Sequence, residues 1–332
     1  MKVSIKEVAK LAGCSTATVS NVINNRNKFV SESVRKKVLD AMGALNYKPN
    51  NFAQTLRKGR SNIVGFVVPD LMNYFFTELA SAIQSVLTEN GLQLIVMNSE
   101  YSLDKEKQYI RQSVDQYASG IIIASLAEKY SHLEDCLSDD FPAVFIDRNP
   151  LGCKKDCITI NNFQAAYEAT QTLIRKGHQK IGIINGTLNI STSKERLAGY
   201  VAALEEAGIA LDDRLIKHRS KDRTGHEGQR LIEELLEAGI TAVFIVNNQT
   251  TIKVMQYLID RQIEIPGQIA VIGFDDYEWS SITKPSLSVI RQPTFEMGVK
   301  AAEILLKRIN SPSADFQEHY VLPSKLIQRS SI

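Results

Sequence analysis

The sequence predicts a small all-α module followed by a larger α/β body built on open parallel sheets. Apolar side chains recur at helical spacing through the first 45 residues, with cap and stop residues between the runs. From residue 62 onward, short apolar runs alternate with amphipathic segments, the pattern of a parallel α/β sheet. Charge divides at the same place: residues 1–60 hold twelve Lys/Arg against three Asp/Glu, whereas the remainder holds 27 against 34. At 332 residues and 44% hydrophobic, the chain can build two or three domains with a sizeable core.

Within the module, Ser4-Ile5-Lys6-Glu7 reads as a capping box, with the Ser4 hydroxyl on a free backbone N–H and Glu7 reaching back to the cap. The helix that starts there carries the stripe Ile5, Val8, Ala9 and Ala12, and Gly13 is a natural left-handed terminator. Ser15 caps a second helix, over about 16–24, that buries Val19, Val22 and Ile23. Its other face carries Thr16, Ala17, Ser20, Asn21 and Asn24. A third helix over about 31–45 buries Val34, Val38, Leu39, Met42 and Leu45. Two short helices joined by a Gly-containing turn and braced by a third fit a helix-turn-helix, or else a plain three-helix surface module. Small hydroxyls and amides on the second helix suit base edges and phosphates, and so does a basic surplus, although basic helices also serve as solvated surfaces.

In the body, strands are expected at 63–68, 92–97, 120–124, 143–147, 180–185, 242–246, 269–274 and 287–290. Helices fill the gaps, for example 75–89, 163–176, 194–207, 225–238 and 250–262. Open sheets of this kind bind ligands beyond the carboxyl ends of their strands, which singles out Asp70, Asp147, Asn247 and Asp275.

Other classes are argued against. No apolar run approaches the roughly 20 residues of a membrane span, and residues 1–10 lack a signal-peptide core, so a cytoplasmic protein is expected. Cys14, Cys136, Cys153 and Cys157 are too sparse for a disulfide scaffold, and Cys153/Cys157 lack the second pair of a structural zinc. Neither a metal nor any other cofactor is expected. An enzyme is disfavoured because no G-x-S-x-G elbow, P-loop, H-E-x-x-H or G-x-G-x-x-G occurs and the five histidines are scattered.

The run from Ser4 to Ser20, SIKEVAKLAGCSTATVS, resembles the headpiece of the lactose-repressor (LacI/GalR) family. The likeness continues through Val30-Ser31, Arg35, Val38, Leu45, Tyr47, Pro49 and Asn50 into Ala53-Gln54-Thr55-Leu56-Arg57, which is similar to the family's hinge helix. It implies a DNA-binding helix-turn-helix domain at 1–46 and a hinge at 47–60. Thr16, Ala17 and Asn21 would face bases, while Ser15, Thr18, Ser20, Asn24, Ser31 and Tyr47 would fix the headpiece on the DNA backbone. Asn50, Ala53 and Leu56 would enter the minor groove, with Leu56 as an apolar wedge that partly unstacks the central step. Many members have Arg where this chain has Asn21, so an Arg–guanine contact does not carry over. A hinge of about eight residues is too short for a stable isolated helix, so its folding would be coupled to binding.

In the body the resemblance rests on Val68-Pro69-Asp70, Asn73-Tyr74-Phe75-Phe76, Phe145-Ile146-Asp147-Arg148, Gly177-His178, Arg196-Leu197-Ala198-Gly199-Tyr200, Ile272-Gly273-Phe274-Asp275-Asp276 and Gln292-Pro293. It implies a periplasmic-binding-protein-like core of two doubly wound parallel-sheet lobes, 61–161 plus 292–320 and 162–291 plus 321–332, joined by three crossings. A small-molecule effector would lie between them. Phe75 and Phe76 would pack on it, and Asp70, Asp147, Arg196, Asn247, Asp275 and Arg223 would supply its polar contacts. Phe75 and Phe76 could equally be core at a helix start, and Asp275 could cap the following turn. Asn248 and Asn161 stand where the family commonly has Asp, and Ser220 near where an aromatic often stacks. With His218, Arg219, Lys221 and Arg223 around it, that exchange favours an anionic effector such as a sugar acid or sugar phosphate. A homodimeric repressor of a carbohydrate or related catabolic operon, bound to a pseudo-palindromic operator and not to a membrane, is thus expected. A phosphorylated carrier protein acting as corepressor is the alternative; a sugar-binding transport protein is disfavoured by the basic headpiece.

Overall fold

The computed structural model describes residues 3–23, 30–47, 60–219, 227–311 and 317–332. It forms two compact units, Met1–Ser61 and Asn62–Ile332. The hinge residues Asn50, Ala53 and Leu56, together with Asn24, Ser220 and Arg223, lie outside the described residues.

The first unit contains α1 (Ile5–Ala12), α2 (Thr16–Ile23) and α3 (Glu32–Ala44) around a core of Val8, Ala9, Ala12, Val19, Val22, Val38 and Ala41. At the start of α1 the Glu7 carboxylate accepts from the Ser4 N–H at 2.7 Å and from the Ser4 hydroxyl at 3.0 Å. Gly13 ends the helix at φ +63°, and Cys14 N–H reaches back to the Ala9 carbonyl at 3.0 Å. Ser15 Oγ accepts from Thr18 N–H at 3.1 Å, so the second helix is capped where its sequence places the cap. Leu39 departs from expectation, being 49% exposed. The inward stripe of α3 runs through Val34, Val38, Ala41, Met42 and Leu45, and Leu39 sits one step, about 100°, round the helix from Val38.

The second unit holds two six-stranded sheets. The first is ordered β11-β5-β4-β3-β1-β2 and wholly parallel, from β1 (Ile63–Val68), β2 (Gln93–Asn98), β3 (Gly120–Ile123), β4 (Ala143–Ile146), β5 (Asp156–Ile160) and β11 (His319–Leu322). The second is ordered β12-β10-β9-β8-β6-β7, from β6 (Ile181–Asn185), β7 (Ile216–His218), β8 (Ala242–Ile245), β9 (Ala270–Phe274), β10 (Ser288–Arg291) and β12 (Lys325–Ile327). Its one antiparallel pair is β10 with β12. Central strands such as β3, β4, β6, β8 and β9 are buried along their full length, as sheets covered on both faces require.

The covering helices are α4 (Tyr74–Glu89), α5 (Leu103–Asp115), α6 (Asn162–Arg175), α7 (Ser191–Glu206), α8 (Glu227–Glu237), α9 (Asn248–Asp260), α10 (Glu278–Ile282) and α11 (Thr294–Asn310). After β5 the chain passes from the first sheet to the second, after β10 it returns through α11, and between β11 and β12 it crosses again. Strands β5, β7, β11 and β12 are additional to the eight expected. Three of them are short, and β11 and β12 are half-exposed, so their run of apolar residues is too brief to stand out.

Helices α6 and α7 pack closely because Gly199 lets their backbones meet. A Cβ there would collide with the Phe163 carbonyl oxygen and lie 2.9 Å from the Tyr167 nitrogen. That contact holds α7 against α6 three residues beyond Arg196, which sits in the second turn of α7.

Candidate effector cleft and headpiece surface

In the first unit, Thr16 and Ala17 are exposed at the start of α2, and Thr18, Ser20 and Asn21 are half-buried along it. Ser15 and Thr18 share a hydroxyl–hydroxyl bond of 2.9 Å. Ser31 is exposed at the N-cap of α3, and Tyr47 packs on the small core. Bulky apolar groups are absent from the described exposed positions Ser15, Thr16 and Ala17, which leaves backbone and hydroxyl donors accessible there.

The second unit contains a cavity of about 740 Å³, within the size range of small-molecule sites. It is lined from both sheets by Asp70, Phe75, Phe76, Asp147, Arg196, Asn247 and Asp275, so the structure brings together every described member of the expected effector set. Two carboxylates occupy equivalent places. Asp147 follows β4 directly and Asp275 follows β9 directly; both are left-handed, at φ +68° and +70°. Each donates its N–H to the neighbouring strand, Asp147 to Ile158 at 2.9 Å and Asp275 to Ile290 at 2.8 Å. A non-glycine residue in this region is uncommon, and here it turns a carboxylate into the cavity at the end of each sheet.

Asp275 does not cap the following turn. Its Oδ1 accepts from Gln292 Nε2 at 2.6 Å. Burial raises its pKa from the ordinary 3.8 to about 6, against the opposing pull of Gln292 and Arg196. Asp147 is bonded by Arg148 Nε at 3.2 Å, and Arg148 Nη1 donates to the Ser125 carbonyl at 3.3 Å.

Arg196 is buried and braced entirely from its own side. Its Nε donates to Asn162 Oδ1 at 2.9 Å, its Nη1 to the Val246 carbonyl at 2.7 Å, and its guanidinium lies 3.6 Å from the centre of the Phe274 ring. Burial pushes its pKa down while Asp147 and Asp275 push it up. An arginine stays charged under such a shift, so the cavity floor carries a fixed cation with Nη2 unused by these bonds.

The remaining expected residues are partly committed elsewhere. Asn247 caps α9, its Oδ1 accepting from Thr250 N–H and from Arg219 Nη1, each at 3.1 Å, which leaves its amide for a ligand. Asp70 accepts from Met72 N–H at 2.9 Å and from Gln249 Nε2 at 2.7 Å. Beside it, Asn248 Nδ2 donates to Asn73 Oδ1 at 2.8 Å and to the Tyr277 hydroxyl at 3.0 Å. These bonds strap the end of β1 to the start of α9 across the cavity mouth. Phe75 and Phe76 are nearly wholly buried with rings 5.1 Å apart, and they are core and cavity wall at once.

Sequence reasoning did not single out Tyr101, Arg148, Gln249 or Gln292 as site residues, although all line the cavity. Arg148 and Gln292 stood inside motifs already noted; Tyr101 lies in a loop after β2 where no periodicity marks it. Among the described residues no cluster of His, Cys, Asp and Glu could hold a metal, and no helix is long and apolar enough to cross a membrane.

Comparison with known proteins bears on both units. The family described as "Bacterial regulatory proteins, lacI family" matches residues 4–50, and that described as "Periplasmic binding proteins and sugar binding domain of LacI family" matches residues 61–329. The HTH-type transcriptional regulator GalR of Escherichia coli is 35% identical over 332 residues, covering 99% of this chain and 95% of its own. Among solved structures, the lac repressor dimer bound to operator and an anti-inducer superposes with a TM-score of 0.84 at 26% identity, covering 100% of this chain and 99% of that one. A complex of the transcriptional regulator CelR with cellobiose gives 0.72 at 28% identity, covering 99% and 100%.

Proposed function

The chain belongs to the lacI family of bacterial regulatory proteins, whose members are transcriptional regulators and not enzymes, and on that premise we propose that it represses a carbohydrate or related catabolic operon. It acts in the cytoplasm as a homodimer on a pseudo-palindromic operator. The headpiece 1–46 reads the operator, with Thr16, Ala17 and Asn21 toward bases and Leu56 of the hinge as the minor-groove wedge. A carbohydrate-type effector, a sugar acid or sugar phosphate, occupies the cleft and sets the affinity for DNA. The CelR–cellobiose complex supports a carbohydrate ligand in this fold.

The observation that carries the reading is the cavity itself: a buried, braced Arg196 and two left-handed carboxylates line a space of ligand size. Water would leave Asp275 ionised at little cost, whereas here burial opposes it; hydroxyl donors from a ligand would relieve that cost.

Footprinting the full-length protein tests the DNA half. Two symmetry-related half-sites and affinity that falls steeply with salt are expected; a monomeric footprint or salt-independent binding overturns it. Arg196→Ala tests the effector half. It should weaken effector binding by about 10- to 150-fold, the worth of a charge-assisted hydrogen bond, while operator affinity without effector is retained. Operator binding that requires an added phosphorylated carrier protein, and responds to no metabolite, would replace the small effector by a corepressor.

A further inference from the structure

We propose, resting on the reading of the cleft as an effector site, that Asn162 is the residue that positions Arg196 for its ligand: one buried amide holds the guanidinium through Oδ1 and the neighbouring Glu195 carboxylate through Nδ2. Asn162 is the first residue of α6 and is 1% exposed. It stands behind the cavity wall and acts through the arginine. Its Oδ1 accepts from Arg196 Nε at 2.9 Å, and its Nδ2 donates to Glu195 Oε2 at 3.0 Å and to the Ile160 carbonyl at 3.3 Å. One amide thus serves two oppositely charged residues that are adjacent on α7.

Only a group with an acceptor on one arm and a donor on the other satisfies both neighbours. An aspartate has two acceptors, which suits Arg196 but sets a second carboxylate against Glu195. An aliphatic side chain has neither and leaves a buried guanidinium N–H unpaired. The two charges also fix which way the amide faces, since a flip would turn its N–H toward the guanidinium and its carbonyl toward the carboxylate. Burial raises the Glu195 pKa and the bond from Asn162 lowers it, so the amide helps keep that carboxylate ionised.

The amide is itself anchored where the chain passes between the sheets. Ile160 is the last residue of β5 in the first sheet, so the Nδ2 bond to its carbonyl fixes Asn162 at the point of departure for the second. The preceding residue, Asn161, accepts through Oδ1 from Ser324 N–H at 2.8 Å and from Ser324 Oγ at 2.9 Å, on the segment between β11 and β12. Two crossings are joined beside the amide that holds Arg196. With Nε on Asn162, Nη1 on the Val246 carbonyl and the Phe274 ring against its face, the guanidinium is set in one orientation before a ligand arrives. Affinity scales with the fraction of protein in the competent arrangement, so freeing Nε weakens binding although no ligand contact is removed.

Heteronuclear NMR of the full-length protein reads the positioning without a ligand. The Nε–H signal that vanishes in Arg196→Ala should exchange slowly with water, and at least about 10-fold faster in Asn162→Leu; unchanged exchange overturns the proposal. Calorimetry reads the consequence, with D-glucose, D-galactose, D-ribose, cellobiose, gluconate and glucose 6-phosphate as probes. The probe that binds most tightly should lose about 10-fold or more of its affinity in Asn162→Leu. At about pH 8, Asn162→Asp should lose several-fold, and adding Glu195→Gln, which again sets a donor opposite an acceptor, should recover most of it. A mere packing defect at 162 would not be repaired from 195, and because aspartate is isosteric with asparagine these variants also serve if Asn162→Leu fails to fold. Equal affinity in wild type and Asn162→Leu, or no recovery in the double variant, overturns the proposal. Arg196→Ala measured alongside keeps the two levels apart. If it loses the probe while Asn162→Leu does not, the effector site stands and the positioning role falls; if it loses nothing, or no probe binds, the reading of the cleft falls as well.

Discussion

Asp275 shows how much of a site is decided by one side chain's surroundings. Like Asp147 at the end of the other sheet it occupies a left-handed place, and burial raises its pKa to about 6. Between about pH 3.8 and 6 the folded chain holds a proton there that the unfolded chain has lost. Stability therefore falls as pH rises through this window, and above it the full cost of the buried charge remains. Asp275→Asn should stabilise the unliganded protein at pH 7.5 by on the order of 1–3 kcal/mol, with the gain vanishing below about pH 4. Thermal melts of both proteins across pH 3.5–8 measure this; a pH-independent difference would assign the effect to packing. The identity of Asp275 as a polar residue past a strand was legible in the sequence. Its protonation was not, because burial and the Gln292 partner come from a segment seventeen residues away.

At the scale of elements, the cleft depends on how closely α6 and α7 approach. Gly199 is the contact point, and a methyl group there meets backbone on the facing helix, which cannot rotate aside as a side chain could. Gly199→Ala should destabilise the protein by about 2 kcal/mol or more, although in an isolated helix the same change would favour folding. Urea denaturation gives the sign directly, and a stabilised variant would mean the helices separate at no cost. The straps at the cavity mouth belong to this scale too, since Gln249 and Asn248 at the start of α9 bond Asp70 and Asn73 beside β1. Helical periodicity located α4, α6 and α9 well, whereas α7 starts at Ser191 and not at the expected 194 because its first turns bury Thr192, Ser193 and Arg196 in place of apolar side chains. It could not reveal the straps, which join polar residues more than 170 positions apart.

For the whole molecule, the proposed function makes operator and effector thermodynamically reciprocal. If effector shifts operator affinity by about 5- to 150-fold, saturating operator must shift effector affinity by the same factor. Titrating effector in the presence and absence of operator DNA checks the equality, and an effector affinity indifferent to operator would disconnect the cleft from regulation. The sequence by itself determined the local elements and the division of charge, because helix caps, apolar periods and clusters of basic residues act over a few neighbours. It also determined the family, since long motifs such as residues 4–20 survive as contiguous strings. Only the tertiary structure decided that β11 joins the first sheet and β12 the second, that Asp147 and Asp275 stand as equivalents, and that Arg148, Arg219 and Tyr101 line one cavity. Those facts depend on which distant segments fold against each other, and burial, pKa and hydrogen-bond satisfaction acquire values only once they have.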